Sequence, residues 1–110
     1  MDLDNRISDK IKEAMKAKDN IRLETLRAIK SAIILVKTKS GEKNDLSDND
    51  ELVLLQKLVK QRRESADIFK SQNRNDLANL EEAQLKIIQE FLPKQLDYLE
   101  LEKIIKDIIL

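Results

Sequence analysis

Two arginines, Arg22 and Arg62, occupy positions at which helical periodicity directs them toward apolar faces. Arg22 precedes Leu26 by four residues, and Arg62 falls between Val59 and Ala66 on a second apolar stripe, because successive helical residues are about 100° apart. A guanidinium group that points at a core needs a carboxylate, a bound anion or a route to water. These two side chains are therefore the first candidates for chemistry.

The two arginines can be interpreted in two ways. In the structural interpretation, which we favour, each forms a half-buried salt bridge that fixes helix register, or lays its stem on the core and its head in water. In the functional interpretation, the two guanidinium groups converge on a phosphate or a carboxylate. The carboxylates that could serve as structural partners are Glu24, Glu64, Glu81, Glu82 and Glu90.

Basic side chains also gather away from the apolar face that contains Arg62. Residues 57–74 carry six basic and two acidic side chains, in a chain whose net charge is zero. Such a patch permits an acidic partner such as nucleic acid, although charge on a helix is most often just a solvated face. The candidate phosphate contacts are Lys57, Lys60, Arg63, Lys70 and Arg74.

The composition argues against several classes of catalyst. The 110 residues include no cysteine, no histidine and a single glycine. This removes thiol chemistry, the commonest metal ligand and the commonest general base, and leaves no glycine-rich loop for a phosphate. We expect no catalytic centre, no cofactor and no metal. The N-terminal residues form no apolar segment typical of secretory signals, so we expect a cytoplasmic protein.

The elements that must position these residues are all helical. One glycine and one proline in 110 residues, with 41% hydrophobic and 38% charged residues, favour helix throughout. Periodicity predicts helices over about residues 3–18, 20–39, 47–72, 75–91 and 97–110. The residues expected to begin or end them are Asp19, Gly41, Ser47, Asn73 or Asn75, Pro93 and Asp97.

We therefore predict an all-α protein, with a four-helix antiparallel bundle-like domain over residues 1–93. A fifth helix over 97–110 then begins an incomplete small helical tail. The apolar stripes include Met15 and Leu80, while Ile34 and Leu35 widen the apolar surface of the second helix, which we expect to be covered from two sides. Because the apolar pattern is still running at Leu110, we expect the sequence to be a truncation of a longer protein.

Three segments together resemble the YqeY family, which is related to the C-terminal part of GatB, a subunit of the glutamine-dependent aminoacyl-tRNA amidotransferase. The segments are AMKAKDNIRLETLRAIKSAI at 14–33, VKQRRESADIFKSQNRNDLA at 59–78 and EFLPKQL at 90–96. Their order and spacing match the family's pattern through Leu96, except that Phe91 stands where the family usually has tyrosine. The Gly- and Lys-containing remainder of the family's tail is absent after Leu110.

The resemblance implies a helical domain up to a hinge at Pro93, followed by a small helical tail. In GatB the tail region is associated with gripping tRNA. The family is grouped with carbon–nitrogen ligases that use glutamine as the nitrogen donor, but the glutaminase site of the GatB assembly lies on a different subunit. The resemblance therefore implies a non-catalytic, tRNA-associated accessory module linked to tRNA-dependent amidation, with tRNA or a tRNA-processing protein as its partner.

Two alternatives remain open. The chain could be a protein-interaction or self-associating module, in which the apolar face of the helix over 97–110 docks a partner or a second copy. It could also be an enzyme of the ligase class, by family association alone. We rank the enzyme last, because the sequence contains no histidine, cysteine or phosphate loop.

Overall fold

The computed structural model describes residues 3–40 and 46–93, and this part of the chain is all-α. Helix α1 spans Leu3–Ala17, α2 spans Asn20–Ser40, α3 spans Asp48–Ser71 and α4 spans Asn75–Gln89. The predicted helix over 97–110 and the predicted stop at Gly41 lie outside the described residues, and the antiparallel bundle arrangement stays a prediction. Within the described ranges, no helix has both the length and the apolar content needed to cross a bilayer.

Two predicted caps are confirmed by the hydrogen bonds at the starts of α2 and α3. Asp19 Oδ1 accepts the amide of Arg22 at 3.1 Å, and Ser47 Oγ accepts the amide of Asp50 at 3.1 Å. Each side chain satisfies one of the amides that a helix leaves without a partner in its first turn. The polar residue just before each apolar stripe was therefore a correct guide to the helix start.

The predicted cap of α4 is wrong. The N-cap position is Arg74, whose side chain makes no capping hydrogen bond, and α4 ends at Gln89 rather than near Phe91. Asn75 is already the first helical residue. Asn73 does not cap α4 but ends α3, where it adopts a left-handed conformation with φ of 61°.

The turns that join α1 to α2 and α3 to α4 are built in the same way. Each contains one non-glycine residue in the left-handed region, Lys18 with φ of 55° and Asn73 with φ of 61°. Each also closes the preceding helix with the paired hydrogen bonds of a Schellman motif. The amide-to-carbonyl bonds are Lys18 to Met15 (3.2 Å) and Asp19 to Ala14 (3.1 Å), then Asn73 to Lys70 (3.1 Å) and Arg74 to Phe69 (2.8 Å).

The main core joins α1, α2, the first half of α3 and the end of α4. Helix α1 packs on α2, α3 packs most extensively on α4, and α2 also contacts both α3 and α4. Burial of the apolar side chains in this core is the main contribution to the stability of the fold. The buried members are Leu3, Ile7, Ala14, Leu26, Ile29, Ile33, Leu54, Leu55, Val59, Ile88 and Phe91.

The far part of the α3–α4 pair lies outside this core, since none of residues 60–84 belongs to it. This segment, which we call the distal hairpin, has its own buried contacts. Ala66 in α3 is 3% exposed and Ala78 in α4 is 0% exposed. Two small side chains at buried positions allow their helices to approach closely. Among the residues that the structure describes, contacts between α3 and α4 therefore hold the distal hairpin together.

Several predicted core positions are wrong. Met15 and Leu80 are 55% and 38% exposed, and Ile34 and Leu35 are also exposed. The described residues therefore leave uncovered the side of α2 that carries Ile34 and Leu35. Leu54, which helical spacing places about 120–140° away from Val59 and Ala66, is only 6% exposed. Periodicity identifies the apolar face of a helix, but it does not say how far along that face a neighbouring helix extends.

Candidate nucleic-acid interface

Arg22 lies at the start of α2 and forms a two-bond ion pair with Glu90, which follows α4. Its Nη1 donates to Glu90 Oε1 at 3.2 Å, and Nη2 lies 3.0 Å from Glu90 Oε2. Nε is 3.6 Å from Asp19 Oδ2. The hydrogen bond that Arg22 donates to Glu90 raises the pKa of Arg22. The guanidinium is thus half-exposed and joins the start of α2 to the end of α4.

Arg62 lies within the distal hairpin and contacts α4 at a different place. Its Nε donates to Gln84 Oε1 at 3.1 Å and lies 3.8 Å from Glu81 Oε2. The Arg62 and Glu81 side chains are only 20% and 22% exposed. Arg22 and Arg62 therefore bind carboxylates nine residues apart on the chain, a separation of about 14 Å along a helix. The structure does not bring the two guanidinium groups together around one anion.

All five candidate phosphate contacts, Lys57, Lys60, Arg63, Lys70 and Arg74, are exposed. Lys57, Lys60 and Arg63 follow at steps of three residues, so they wind around the side of α3 that faces away from the core. Lys70 lies seven residues beyond Arg63, on nearly the same side of the helix. Arg74 is in the turn that ends the distal hairpin.

Carboxylates already lie close to Lys60, Lys70 and Arg74. Lys60 Nζ lies 4.0 Å from Glu64 Oε1 one turn further along α3, Lys70 pairs with Glu82 of α4, and Arg74 makes two bonds to Asp76 at 3.2 and 3.1 Å. Exposed ion pairs of this kind are each worth about 0–1 kcal/mol. An incoming phosphate could therefore displace them at small cost.

The charges of these pairs are well defined. The hydrogen bond from Lys70 lowers the pKa of Glu82, and Glu82 in turn raises the pKa of Lys70. The hydrogen bond from Arg74 likewise lowers the pKa of Asp76. Each group therefore stays charged around neutral pH. Carboxylates lie among the cations of the patch, so its electrostatic potential is not uniformly positive.

Sequence reasoning missed a second polar cluster, at the end of the molecule where α1 begins. Asp4 accepts hydrogen bonds from Lys30 and, at 3.2 Å, from Lys37, and Lys30 also donates to Ser8 Oγ at 3.0 Å. The spacing of Lys30 and Lys37 at seven residues places both on one side of α2, but nothing local identifies Asp4 as their shared partner. The cluster ties α1 to α2, and the described residues around Asp4 and Lys37 leave no space there for a ligand.

Two further contacts across the fold carry no sequence signal. The backbone amide of Leu3 donates to Glu51 Oε2 at 2.8 Å, so a carboxylate from the first turn of α3 satisfies an amide at the start of α1. The guanidinium of Arg6 lies 5.4 Å from the centroid of the buried Phe91 ring, a cation–π distance. Both contacts fix α1 against the other helices and suggest a structural role.

Replacing Asp4 with asparagine is expected to lower the free energy of unfolding by about 1 kcal/mol at neutral pH, because two charged hydrogen bonds are weakened. The hydrogen bond from Lys30 lowers the pKa of Asp4 in the folded chain. The Asp4 carboxylate therefore stabilises the fold at any pH above the pKa that Asp4 has in the unfolded chain. This stabilisation is lost as the pH falls through the lower pKa that Asp4 has in the folded chain. Urea denaturation should show the two proteins converging below about pH 4.

The matched control for this experiment is Asp9→Asn, at an exposed position of the same helix. It should change stability by less than about 0.5 kcal/mol at any pH. An Asp4→Asn variant that keeps its full stability deficit in acid would contradict the assignment of the effect to the Asp4 carboxylate.

A family model described as Yqey-like protein matches residues 4–110. Several fungal relatives carry the name altered inheritance of mitochondria protein 41, mitochondrial. The protein from Vanderwaltozyma polyspora is 35% identical over 108 residues, covering 89% of this chain and 56% of its own length. The protein from Meyerozyma guilliermondii is 36% identical over 91 residues, covering 80% and 45%, and that from Kluyveromyces lactis is 38% identical over 84 residues, covering 74% and 43%. The chain thus spans about half the length of the curated relatives it matches.

The prediction of a cytoplasmic protein is contradicted by these relatives, which are all named as mitochondrial proteins. The prediction was based on the absence of an apolar secretory segment. That absence bears only on export, because targeting to other compartments uses signals of different composition.

Proposed function

The chain belongs to the YqeY-like family, and on that premise we propose that it is a non-catalytic, tRNA-associated accessory module. The proposed contacts are phosphates of the RNA, bound by the exposed cations of α3 and of the turn after it. Arg22 and Arg62 hold the scaffold in this proposal. Their guanidinium groups are engaged by Glu90 and by Glu81 with Gln84, respectively.

The observation that carries the proposal is the exposure of Lys57, Lys60 and Arg63 at three-residue steps on the outer side of α3. Phosphate contacts supply most of the affinity of sequence-independent nucleic-acid binding, and lysine and arginine are the side chains that make them. Lys70 and Arg74 continue the same cationic surface to the end of the distal hairpin. This placement supports binding to a ribose–phosphate backbone better than binding to a small ligand, which needs a concave site.

The link to tRNA-dependent amidation is the finer part of the proposal. It comes from the sequence resemblance to the C-terminal part of GatB. The chain contains no histidine and no cysteine, which favours a role in holding or presenting RNA while another polypeptide performs the chemistry. What the fungal relatives bind is not given by their names, so the partner of this chain follows from its own cations and from the resemblance.

The decisive experiment measures binding of labelled tRNA by fluorescence anisotropy at several salt concentrations between about 50 and 200 mM. Changing Lys57, Lys60 and Arg63 together to glutamine should weaken binding by about 10- to 1,000-fold at the lowest salt, and should reduce the slope of log affinity against log salt by about two to three. The wild-type affinity itself should fall steeply with salt.

The control removes the same number of charges elsewhere, by changing the exposed Lys10, Lys12 and Lys16 of α1 to glutamine. It should alter binding by less than the α3 variant does and should leave most of the salt slope intact. No association with tRNA at low salt, or equal losses in the two triple variants, would overturn the proposal.

The second candidate function is a protein-interaction or self-associating module. In the form suggested by the sequence, the apolar face of a fifth helix over 97–110 docks a partner or a second copy. It draws support from α2, where Ile34 and Leu35 are 52% and 57% exposed. Exposure of large aliphatic side chains to water is unfavourable in free energy, and binding of a partner would bury them.

A further inference from the structure

The side of α2 that faces solvent carries a stripe of uncharged residues. Its members recur at steps of three and four residues, and they interrupt a sequence in which 38% of residues are charged. Leu35 is the most exposed large aliphatic side chain in the described part of the chain, at 57%. We call this the outer stripe of α2, formed by Ala28, Ser31, Leu35 and Thr38. Ala32, which also packs against the main core, lies at its inner edge.

One polar member of the outer stripe has a partner within its own helix. Thr38 Oγ1 donates to the carbonyl of Ile34 at 2.8 Å, within its own helix. A hydroxyl bonded in this way presents mainly its methyl group to the surroundings. Two lysines of α2, Lys30 and Lys37, turn to the other side of the helix and bind Asp4. The stripe therefore consists of small and aliphatic groups with one exposed hydroxyl, that of Ser31, and the exposed Arg27 flanks it on one side.

The two ends of the outer stripe carry opposite charges. Glu24 lies one turn before Ala28, and Lys39 lies one turn after Leu35. Fifteen residues separate these two charges, a distance of about 22 Å along the helix. Both side chains are exposed, and neither forms an ion pair with another residue in the described ranges. Each charge is therefore available to a partner laid along the stripe.

A second copy of the same helix, laid antiparallel, complements this stripe in shape and in charge. If the two-fold axis passes between Ser31 and Ala32, Ala28 faces Leu35 of the other copy, so that a small side chain meets a large one twice. The same register places Glu24 opposite Lys39 of the other copy, again twice. A self-complementary patch of this kind is what an isologous two-fold interface requires.

We propose that two copies of this chain associate through the outer stripe of α2 in this antiparallel register. The contact is one helix wide, so it buries less than the roughly 1,200 Å² of a standard stable interface. The dimer is therefore weak and forms as concentration rises. This inference is independent of RNA binding, because the outer stripe and the cations of α3 are different surfaces.

The first test is sedimentation velocity of the full chain from about 10 µM to about 1 mM. The wild type should shift from monomer to dimer over this range, and Leu35→Lys should stay monomeric throughout. Ile68→Lys is the matched control, because Ile68 is equally exposed at 56% but lies on α3. It should dimerise like the wild type. Circular dichroism of each variant checks that the helices are retained.

The second test uses the charges at the two ends. Glu24→Lys alone and Lys39→Glu alone should each weaken the dimer by about tenfold, since each change turns two attractive pairs into two repulsive ones. Mixing these two variants restores opposite charges at both ends, so the mixture should form heterodimers with roughly wild-type affinity. A purely structural role for Glu24 or Lys39 predicts no such rescue.

Three outcomes would overturn the proposal. The first is a strict monomer at the highest concentration. The second is a dimer that Leu35→Lys does not disturb, which would assign self-association to another surface such as residues 97–110. The third is a mixture of the two charge variants that associates no better than either alone.

Discussion

Replacing Ile88 with alanine is expected to lower the free energy of unfolding by about 2–5 kcal/mol, enough to remove much of the stability of a domain this size. Ile88 is 0% exposed and is the buried residue of α4 itself that belongs to the main core. Shortening it leaves a cavity at the point where α4 meets the other helices. The measurement is urea denaturation followed by circular dichroism.

The control is Leu80→Ala, in the same helix and with the same kind of truncation. Leu80 is 38% exposed and lies in the distal hairpin, outside the main core, so its loss should cost less than about 1 kcal/mol. Sequence periodicity alone would rank the two residues as equals. Similar losses for Ile88→Ala and Leu80→Ala would mean that the core does not end where the structure places its boundary.

Enlarging Ala78 to leucine is expected to destabilise the protein by about 1–3 kcal/mol, because extra carbon atoms must be placed at a fully packed position. Ala78 is 0% exposed, and a larger side chain would force α3 and α4 apart. The damage should be confined to the distal hairpin. Hydrogen exchange should therefore show lost protection in residues 60–84, with α1 and α2 affected much less.

Asn79→Leu adds a similar apolar side chain at the next position, where the native residue is exposed. It should leave both stability and hydrogen exchange close to those of the unaltered protein. Equal effects of Ala78→Leu and Asn79→Leu would show that helix α4 does not present Ala78 to α3. Loss of protection across all four helices would show that the distal hairpin does not open separately.

The parts of the fold that depend on neighbouring residues could be predicted from the sequence. Asp19 and Ser47 cap their helices as expected, because a cap involves residues within one turn of each other. Asn73 shows where this reasoning fails. Asparagine suits both a helix start and the left-handed position that ends a helix, so a local pattern could not decide between them.

The polar contacts required knowledge of how the helices pack. The sequence correctly identified Arg22 and Arg62 as arginines in need of partners, and it included Glu81 and Glu90 among five possible carboxylates. It could not choose between them, because Arg22 and Glu90 are 68 residues apart and meet only once α2 and α4 have docked. The pairing of Arg6 with Phe91 had no signal at all, since an arginine on a helix surface is ordinary.

The two matching turns also bear on the speed at which the chain finds its structure. Each closes a pair of helices that are adjacent in sequence, with Lys18 or Asn73 in the left-handed conformation. Most native contacts then join residues that are near one another along the chain, which gives a low contact order. Helical proteins of this kind fold within microseconds to milliseconds. The contacts between the two pairs, such as Arg22 with Glu90 at 68 residues apart, close the long loops, and their closure carries the larger entropic cost.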